Sequence, residues 1–399
     1  MTMKKIWIAV AAVVVVAVVG LGSWWAVDRN AYANMVASSK DVKKWEADTK
    51  PLQSNAAVDK QLSKLTQATK ADKDLMATQA TVVIPGLRGA WSINHKTGKA
   101  AFGNDWVPQG VTQSGSDFYI SMYDGKHKLN SIITQVSQDT GKYVKTLILN
   151  STAHVGAITY DTTHKRLIWS DDNGKSNGAG FGYADQHTID TYDAAVAQSP
   201  IESSRIKWAL GHRTSAMTLY DNQLIIVKYG GKKSQHSIVA VPLNQKGLPN
   251  AVTSEQMRAA LAKAPAAELQ KDPLNAGLKQ LISAKIINSY TTGWDRMQGV
   301  AIAKNGVTLI SQSNGEQPGK IFIRIPESGG WSNLKFKEPT AGAKNVNVPN
   351  SVEQVSLTSD GQMLSMAFES GARQYRESGS FLHRHQFMDR LLVLAVKVE

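Results

Sequence analysis

Cysteine is absent from all 399 residues. That absence excludes structural disulfides, thiolate metal ligands and an acylated, lipoprotein-type cysteine together. Residues 28–80 contain no glycine and a single proline, Pro51, which leaves that stretch few turn formers. Acidic side chains are also in short supply. The 32 Asp and Glu face 45 Lys and Arg, for a formal net charge of +13. The basic residues are scattered and not gathered into a stripe with interleaved aromatics, so nucleic acid is not the expected partner. The charge instead suits a solvated surface drawn to anionic polymers or headgroups.

Charge is missing altogether from Ile6 to Val27, a run of 22 residues preceded by Lys4 and Lys5 and ending near Trp24 and Trp25. As a helix it would be about 33 Å long, enough for a hydrocarbon core of about 30 Å, with the Trp pair at interface depth. Asp28 offsets Arg29, so the positive-inside bias puts residues 1–5 in the cytoplasm, 6–27 in the membrane as a single-pass signal anchor, and the remainder outside. A cleaved signal peptide is the alternative, since Ala31-Tyr32-Ala33 offers small residues for cleavage, but secretory apolar regions are shorter. Residues 28–84 read as a helical or flexible stalk, with Val58, Leu62, Leu65, Leu75 and Met76 near helical spacing.

Beyond Thr81 the apolar period becomes two, and a repeat emerges. Gln109-Gly110-Val111, Gly156-Ala157-Ile158, Ser215-Ala216-Met217, Gln298-Gly299-Val300 and Glu353-Gln354-Val355 each open a strand. A second strand follows each: Phe118–Ser121, Leu167–Ser170, Leu224–Val227, Leu309–Ser311 and Met363–Met366. Gly, Asp and Asn turns lie between. Units of four antiparallel strands recurring every 47 to 83 residues cannot bury both faces alone, but do so when stacked radially. The expected fold is therefore all-β, a β-propeller of five or six four-stranded blades over residues 85–399. The ring is closed by a strand near Thr81–Ile84 or Trp91–Asn94. Residues 253–287 read as a pair of short helices inserted in a long blade, opened by the capping box Thr253-Ser-Glu-Gln256 and broken at Pro265 and Pro273. Because the repeat supplies its own core, residues 85–399 are expected to fold alone, as a monomer.

Val107-Pro-Gln-Gly-Val111, His154-Val-Gly-Ala-Ile158, Met297-Gln-Gly-Val-Ala301 with Ile310-Ser-Gln-Ser313, and Phe368-Glu-Ser-Gly-Ala372 resemble successive blade motifs of an uncharacterised family of secreted or membrane-attached propellers in Gram-positive bacteria. More distantly they resemble gluconolactonase-type and NHL-type propellers. The resemblance implies a fold and a location but no established activity. Two departures stand out: Glu353-Gln354 replaces a Glu-Gly pair, and His154-Val-Gly-Ala has one glycine fewer than the pattern.

In a propeller the first strand of each blade lines the axis. Gln109, His154, Arg213, Ser215, Arg296, Gln298 and Glu353 should therefore converge at one mouth, a default binding site. Gln109 and Gln298 could instead bond the backbone of the next blade, while His154 and Glu353 could move a proton or hold an ion. No residue is assigned a catalytic role and no cofactor is expected. Gly174-Lys-Ser176-Asn-Gly178 matches a nucleophile elbow but lacks the helix that must follow it. Asp171-Asp172-Asn173-Gly174 resembles the start of a Ca²⁺ loop without the closing Glu, and a loop Ca²⁺ site there stays open. His383 and His385 share a strand face without a third ligand. Two function classes stay open. One is a surface binding or scaffold module for an anionic wall polymer, glycan, peptide or protein, and the other a metal-assisted, lactonase-like hydrolase.

Overall fold

Each of the five triplets opens the innermost strand of a blade. The structure is a computed structural model that describes residues 35–77, 79–172, 179–209, 213–231, 236–327, 335–378 and 385–396. The cytoplasmic tip and anchor expected at 1–27, the Gly174–Gly178 motif and His383 lie outside these residues, as do Asn173 and Gly174 of the Asp171–Gly174 loop. Among the described residues no helix is long and apolar enough to cross a membrane.

Blade 1 is built from Trp106–Gln113, Asp117–Asp124, Ile132–Ser137 and Tyr143–Ile148. Blade 2 uses Ile158–Asp161, Arg166–Asp171, Gly180–Asp185 and Ser204–Lys207. Thr214–Tyr220, Gln223–Lys228, Ser237–Pro242 and Ser289–Thr291 make blade 3. Blade 4 consists of Met297–Ile302, Thr308–Asn314, Gln317–Pro326 and Asn345–Asn350. In blade 5, Val352–Leu357, Met363–Phe368 and Arg390–Ala395 are joined by an outermost strand from far upstream, Gln79–Val83, with Gln79 opposite Leu394 and Val83 opposite Arg390. This pairing closes the ring and leaves neither end of the chain's β-structure as an open inner edge. It also places the start of the propeller before residue 85. The hairpin Ala90–Ile93 with Ala100–Gly103 stands apart from the blades.

The blades adhere because β-branched and aliphatic residues alternate onto faces that meet a neighbouring blade. Ile120, Ile133, Ile158 and Leu167 are fully buried in one such layer, and Ile225, Val227, Ile238 and Ile310 in another. A buried side chain of this size contributes roughly 1.5–3 kcal/mol. Near the axis the backbones come closer still. A Cβ on Gly299 would lie 2.9 Å from the Glu353 carbonyl and 2.8 Å from Val355 N, and one on Gly156 would lie 2.9 Å from the Thr214 carbonyl. Glycine in these triplets is thus a requirement of blade-to-blade approach. Ser121 Oγ donates to the Val155 carbonyl at 2.8 Å and Ser311 Oγ to the Glu353 carbonyl at 2.7 Å, stitching second strands to the next blade.

The helical insertion contains three helices where the sequence suggests two: Ser254–Leu261, Ala266–Lys271 and Pro273–Ser283. The capping box at Thr253 is formed, and Asp272 caps the third helix by accepting from Asn275 N at 3.1 Å.

Residues 35–77 differ from the expected stalk. They lie on the propeller. Trp45 and Ala47 join the core of blades 1 and 2, and Val58, Leu62 and Met76 pack into that of blades 4 and 5. The buried Asp72 carboxylate accepts from Lys344 N at 3.2 Å, and the Asp389 carboxylate accepts from Leu52 N at 2.6 Å. The helical spacing is real, in helices Asn55–Ser63 and Lys70–Ala77. Its apolar stripe needs a partner, and the blade edges supply one.

Candidate functional site

Four of the five inner strands carry a β-bulge at the triplet. The register shifts between Pro108 and Gly110, Thr214 and Ala216, Met297 and Gly299, and Val352 and Val355. The extra residues are Gln109, Ser215, Gln298 and the pair Glu353-Gln354, so a bulge frees each from the ladder. Arg213 and Arg296 lie two residues before the bulged Ser215 and Gln298, and His154 lies two residues before Gly156 in blade 2, whose inner strand pairs without a register shift. All seven residues singled out in the sequence therefore belong to one end of the ring, called here the strand-start mouth.

The geometry divides them. Ser215 is buried and directs its hydroxyl to the Met297 carbonyl at 3.1 Å, which ties blade 3 to blade 4. Gln298 donates through Nε2 to Glu353 Oε1 at 3.2 Å. Glu353 is only 2% exposed, and burial, followed by the nearby Glu369, pushes its carboxyl well above the usual range. Glu369 is itself pushed up by burial, against the opposing hydrogen bonds of Tyr375 and Gln109. Tyr375 donates its hydroxyl to Glu369 Oε2 at 2.9 Å. Burial thus disfavours the charged form of both carboxyls, the direction expected when two acids share a desolvated neighbourhood.

Glu369 is a functional candidate that the sequence reading quoted only within a motif. It follows the second strand of blade 5 on a 3-10 turn, Glu369–Gly371, and the short helix Arg373–Glu377 then turns back over the mouth. Ala372 packs with Val107 and Tyr123, while Arg373 Nη1 donates to Asn104 Oδ1 at 3.0 Å and Arg376 Nη2 to the Met35 carbonyl at 3.2 Å. This cap brings Glu369 and Tyr375 over an axis that strand periodicity alone assigns to five triplets.

Beside the acids stands a stack of three flat rings. Tyr123 lies on His154 with centroids 4.2 Å apart and planes 5° from parallel, and His127 is 5.1 Å from each. Burial of one ring face, and then His127, lowers the pKa of His154, favouring neutral imidazole. Across the mouth, Arg213 and Arg296 are exposed and both adopt positive φ, 61° and 55°. Burial, and secondarily Arg213, brings the pKa of Lys228 down to about 8. One side of the mouth is aromatic, the other cationic.

Below the mouth the channel is plugged. Gln354, 1% exposed, accepts from Ile158 N at 2.8 Å and donates to the carbonyls of Val111, Ile158 and Met217. One amide on the axis thereby binds the inner strands of blades 1, 2 and 3. The replacement of glycine by Gln354, read in the sequence as a mild departure, is the central tie of the ring.

Among the described residues, no group of three or more His, Asp or Glu side chains is arranged to hold a metal ion. Asp171 of the suggested Ca²⁺ loop pairs with Arg205 at 2.7 Å, and His385 lies 3.3 Å from Glu316.

Neither a family model nor a curated protein matches the chain. Solved structures that align with it include the PQQ-bound aldose sugar dehydrogenase of Streptomyces coelicolor, 12% identical with a TM-score of 0.40 over 80% of this chain and 99% of that one. The hydrazine synthase of Kuenenia stuttgartiensis aligns at 12% identity and a TM-score of 0.33 over 65% of this chain, which spans 55% of that chain. The RRP9 WD40 repeats align at 8% identity and a TM-score of 0.34, over 74% and 96%. Likenesses of this size say nothing about activity.

Proposed function

We propose that the chain is a membrane-tethered, extracellular β-propeller that binds an anionic surface polymer or glycan at the strand-start mouth. The observation that carries the reading is the division of that mouth. Burial disfavours the charged forms of Glu353 and Glu369, so these acids offset the cationic side formed by Arg213, Arg296 and Lys228 less than exposed carboxylates would. A ligand with phosphate or carboxylate groups would meet the arginines, and its less polar part the Tyr123–His154 face. The uncharged run 6–27 and the net charge of +13 support a tether and an anionic partner. The test is retention of the full chain on a phosphate-bearing wall polymer. Arg213→Ala with Arg296→Ala should weaken retention about tenfold, and added salt should weaken it further. Undiminished retention in the double variant would sink the reading.

A hydrolase is the second reading, and the Glu353–Glu369 pair is what favours it, because a carboxyl whose pKa is raised by burial is suited to act as a general acid. If the purified protein opens lactones and Glu353→Gln abolishes that activity, the hydrolase replaces the binding module.

A further inference from the structure

The opposite end of the axis is a cavity of about 620 Å³ with walls from all five blades. We infer that this strand-end mouth is a second binding site, separate from the first, for a neutral saccharide. The residue after each triplet is Thr112, Thr159, Thr218, Ala301 and Ser356 in blades 1 to 5. Four of the five are hydroxyls at one level of the repeat, immediately beyond the Gln354 plug, and all four line the cavity. Thr112 Oγ1 is engaged, accepting from Tyr160 N at 3.0 Å. Thr159, Thr218 and Ser356 find no hydrogen-bond partner for their hydroxyls among the described residues. A level of hydroxyl-bearing side chains repeated around an axis and lining one cavity is a set of donors and acceptors suited to a polyhydroxylated ligand.

The walls suit the same chemistry. Tyr160 is fixed by stacking on Tyr119, with centroids 6.0 Å apart and planes 4° from parallel, and by donating its hydroxyl to Gln186 Oε1 at 2.7 Å. Tyr220 lines the cavity from the next blade. Rings held in this way offer apolar faces for the C–H surface of a sugar at little entropic cost. Charge is balanced here. Asp161 is paired with Arg166 at 3.1 Å and hydrogen-bonded to His164 at 2.8 Å, and the rim carries one acid, Asp221, against one base, Lys304. An anion gains nothing from such a funnel, whereas a neutral ligand loses nothing. The size falls within the range of small-molecule sites, about 300–1,000 Å³.

The experiment is calorimetric titration of the full chain in detergent with two neutral trisaccharides, maltotriose and chitotriose, and with glucuronate as an anionic counterpart. At least one trisaccharide should bind saturably at or below about 10 mM. Thr159→Val with Thr218→Val should weaken that binding about tenfold, Ser356→Ala should weaken it by a smaller factor, and Arg213→Ala with Arg296→Ala at the other mouth should leave it unchanged. Ser356→Ala serves as the second reading should the double valine variant fail to fold. Absence of saturable binding by either trisaccharide, affinity untouched by the hydroxyl variants, or tighter binding of glucuronate would each overturn the inference.

Discussion

The two mouths of the propeller are built from the same five strands, read from opposite ends, and they differ in kind. At the strand-start mouth the bulges break the ladder, so Gln109, Gln298 and Glu353 are aimed by local irregularity, and two buried carboxyls sit opposite two arginines. At the strand-end mouth the strands run on regularly, and Thr112, Thr159, Thr218 and Ser356 recur at a fixed offset with their charges balanced. Irregular backbone concentrates charged and strained groups, while regular backbone repeats a single chemistry. The Gln354 amide, bonded to the inner strands of blades 1, 2 and 3, stands between the two.

Both mouths depend on blade 5, which supplies Glu353 and Glu369 to one and Ser356 to the other. The largest expected effect is therefore loss of ring closure. A chain beginning at residue 85 lacks the outermost strand Gln79–Val83 and the helices that cover blades 4 and 5. It should be insoluble or lack a cooperative transition, whereas one beginning at residue 35 should fold. The pairing sets this outcome against the sequence-based expectation of an independent unit from 85 onward, and the truncation decides between them. A soluble, β-rich and cooperatively melting 85–399 fragment would show the closing strand to be dispensable.

Gln354→Ala comes next. It removes the amide from three buried carbonyls and one N–H and leaves a void on the axis, so stability should fall by roughly 3 kcal/mol. Denaturant titration measures this as a lower midpoint with an unchanged slope. A loss under about 0.5 kcal/mol would mean that the inner strands hold together without the plug, and that the two mouths are not separated by it.

Glu353→Gln tests the charge state of the strand-start mouth. A carboxyl whose folded-state pKa is raised contributes stability that is fully present below its ordinary value of 4.5 and is lost as pH rises through the higher folded value. The melting temperature of the native chain should thus decline as pH rises above about 4.5. In Glu353→Gln that decline should shrink, because the amide cannot ionise. Parallel pH profiles for the two proteins would show that Glu353 is not held protonated.

The blades were legible in the sequence because period-two patterning and turn chemistry are local, and the triplets recur with little change. The Thr253 capping box was legible for the same reason. Gln354 and Glu369 were not. Nothing near Gln354 in the chain tells that its partners are Val111, Ile158 and Met217, 137 to 243 residues away. Glu369 lies on a cap whose placement is decided by Asn104 and Met35, far upstream. The stalk was misread because an amphipathic stripe shows that a partner exists without showing which surface it is.

Arg213 and Arg296 give the smallest effect and the sharpest contrast between the mouths. Both hold positive φ at the opening of an inner strand, a conformation that costs an L-residue roughly 1–2 kcal/mol and glycine almost nothing. Glycine would lose more backbone freedom on folding, by about 0.5–1 kcal/mol, so Arg213→Gly or Arg296→Gly should raise stability by only a few tenths of a kcal/mol. A protein selected for the fold alone would place glycine at both positions. If the glycine variants are slightly more stable yet release the anionic polymer, the strain at the strand-start mouth is retained for binding. If they are less stable, the arginines are there for contacts within the propeller, and the cationic side of that mouth is part of the scaffold.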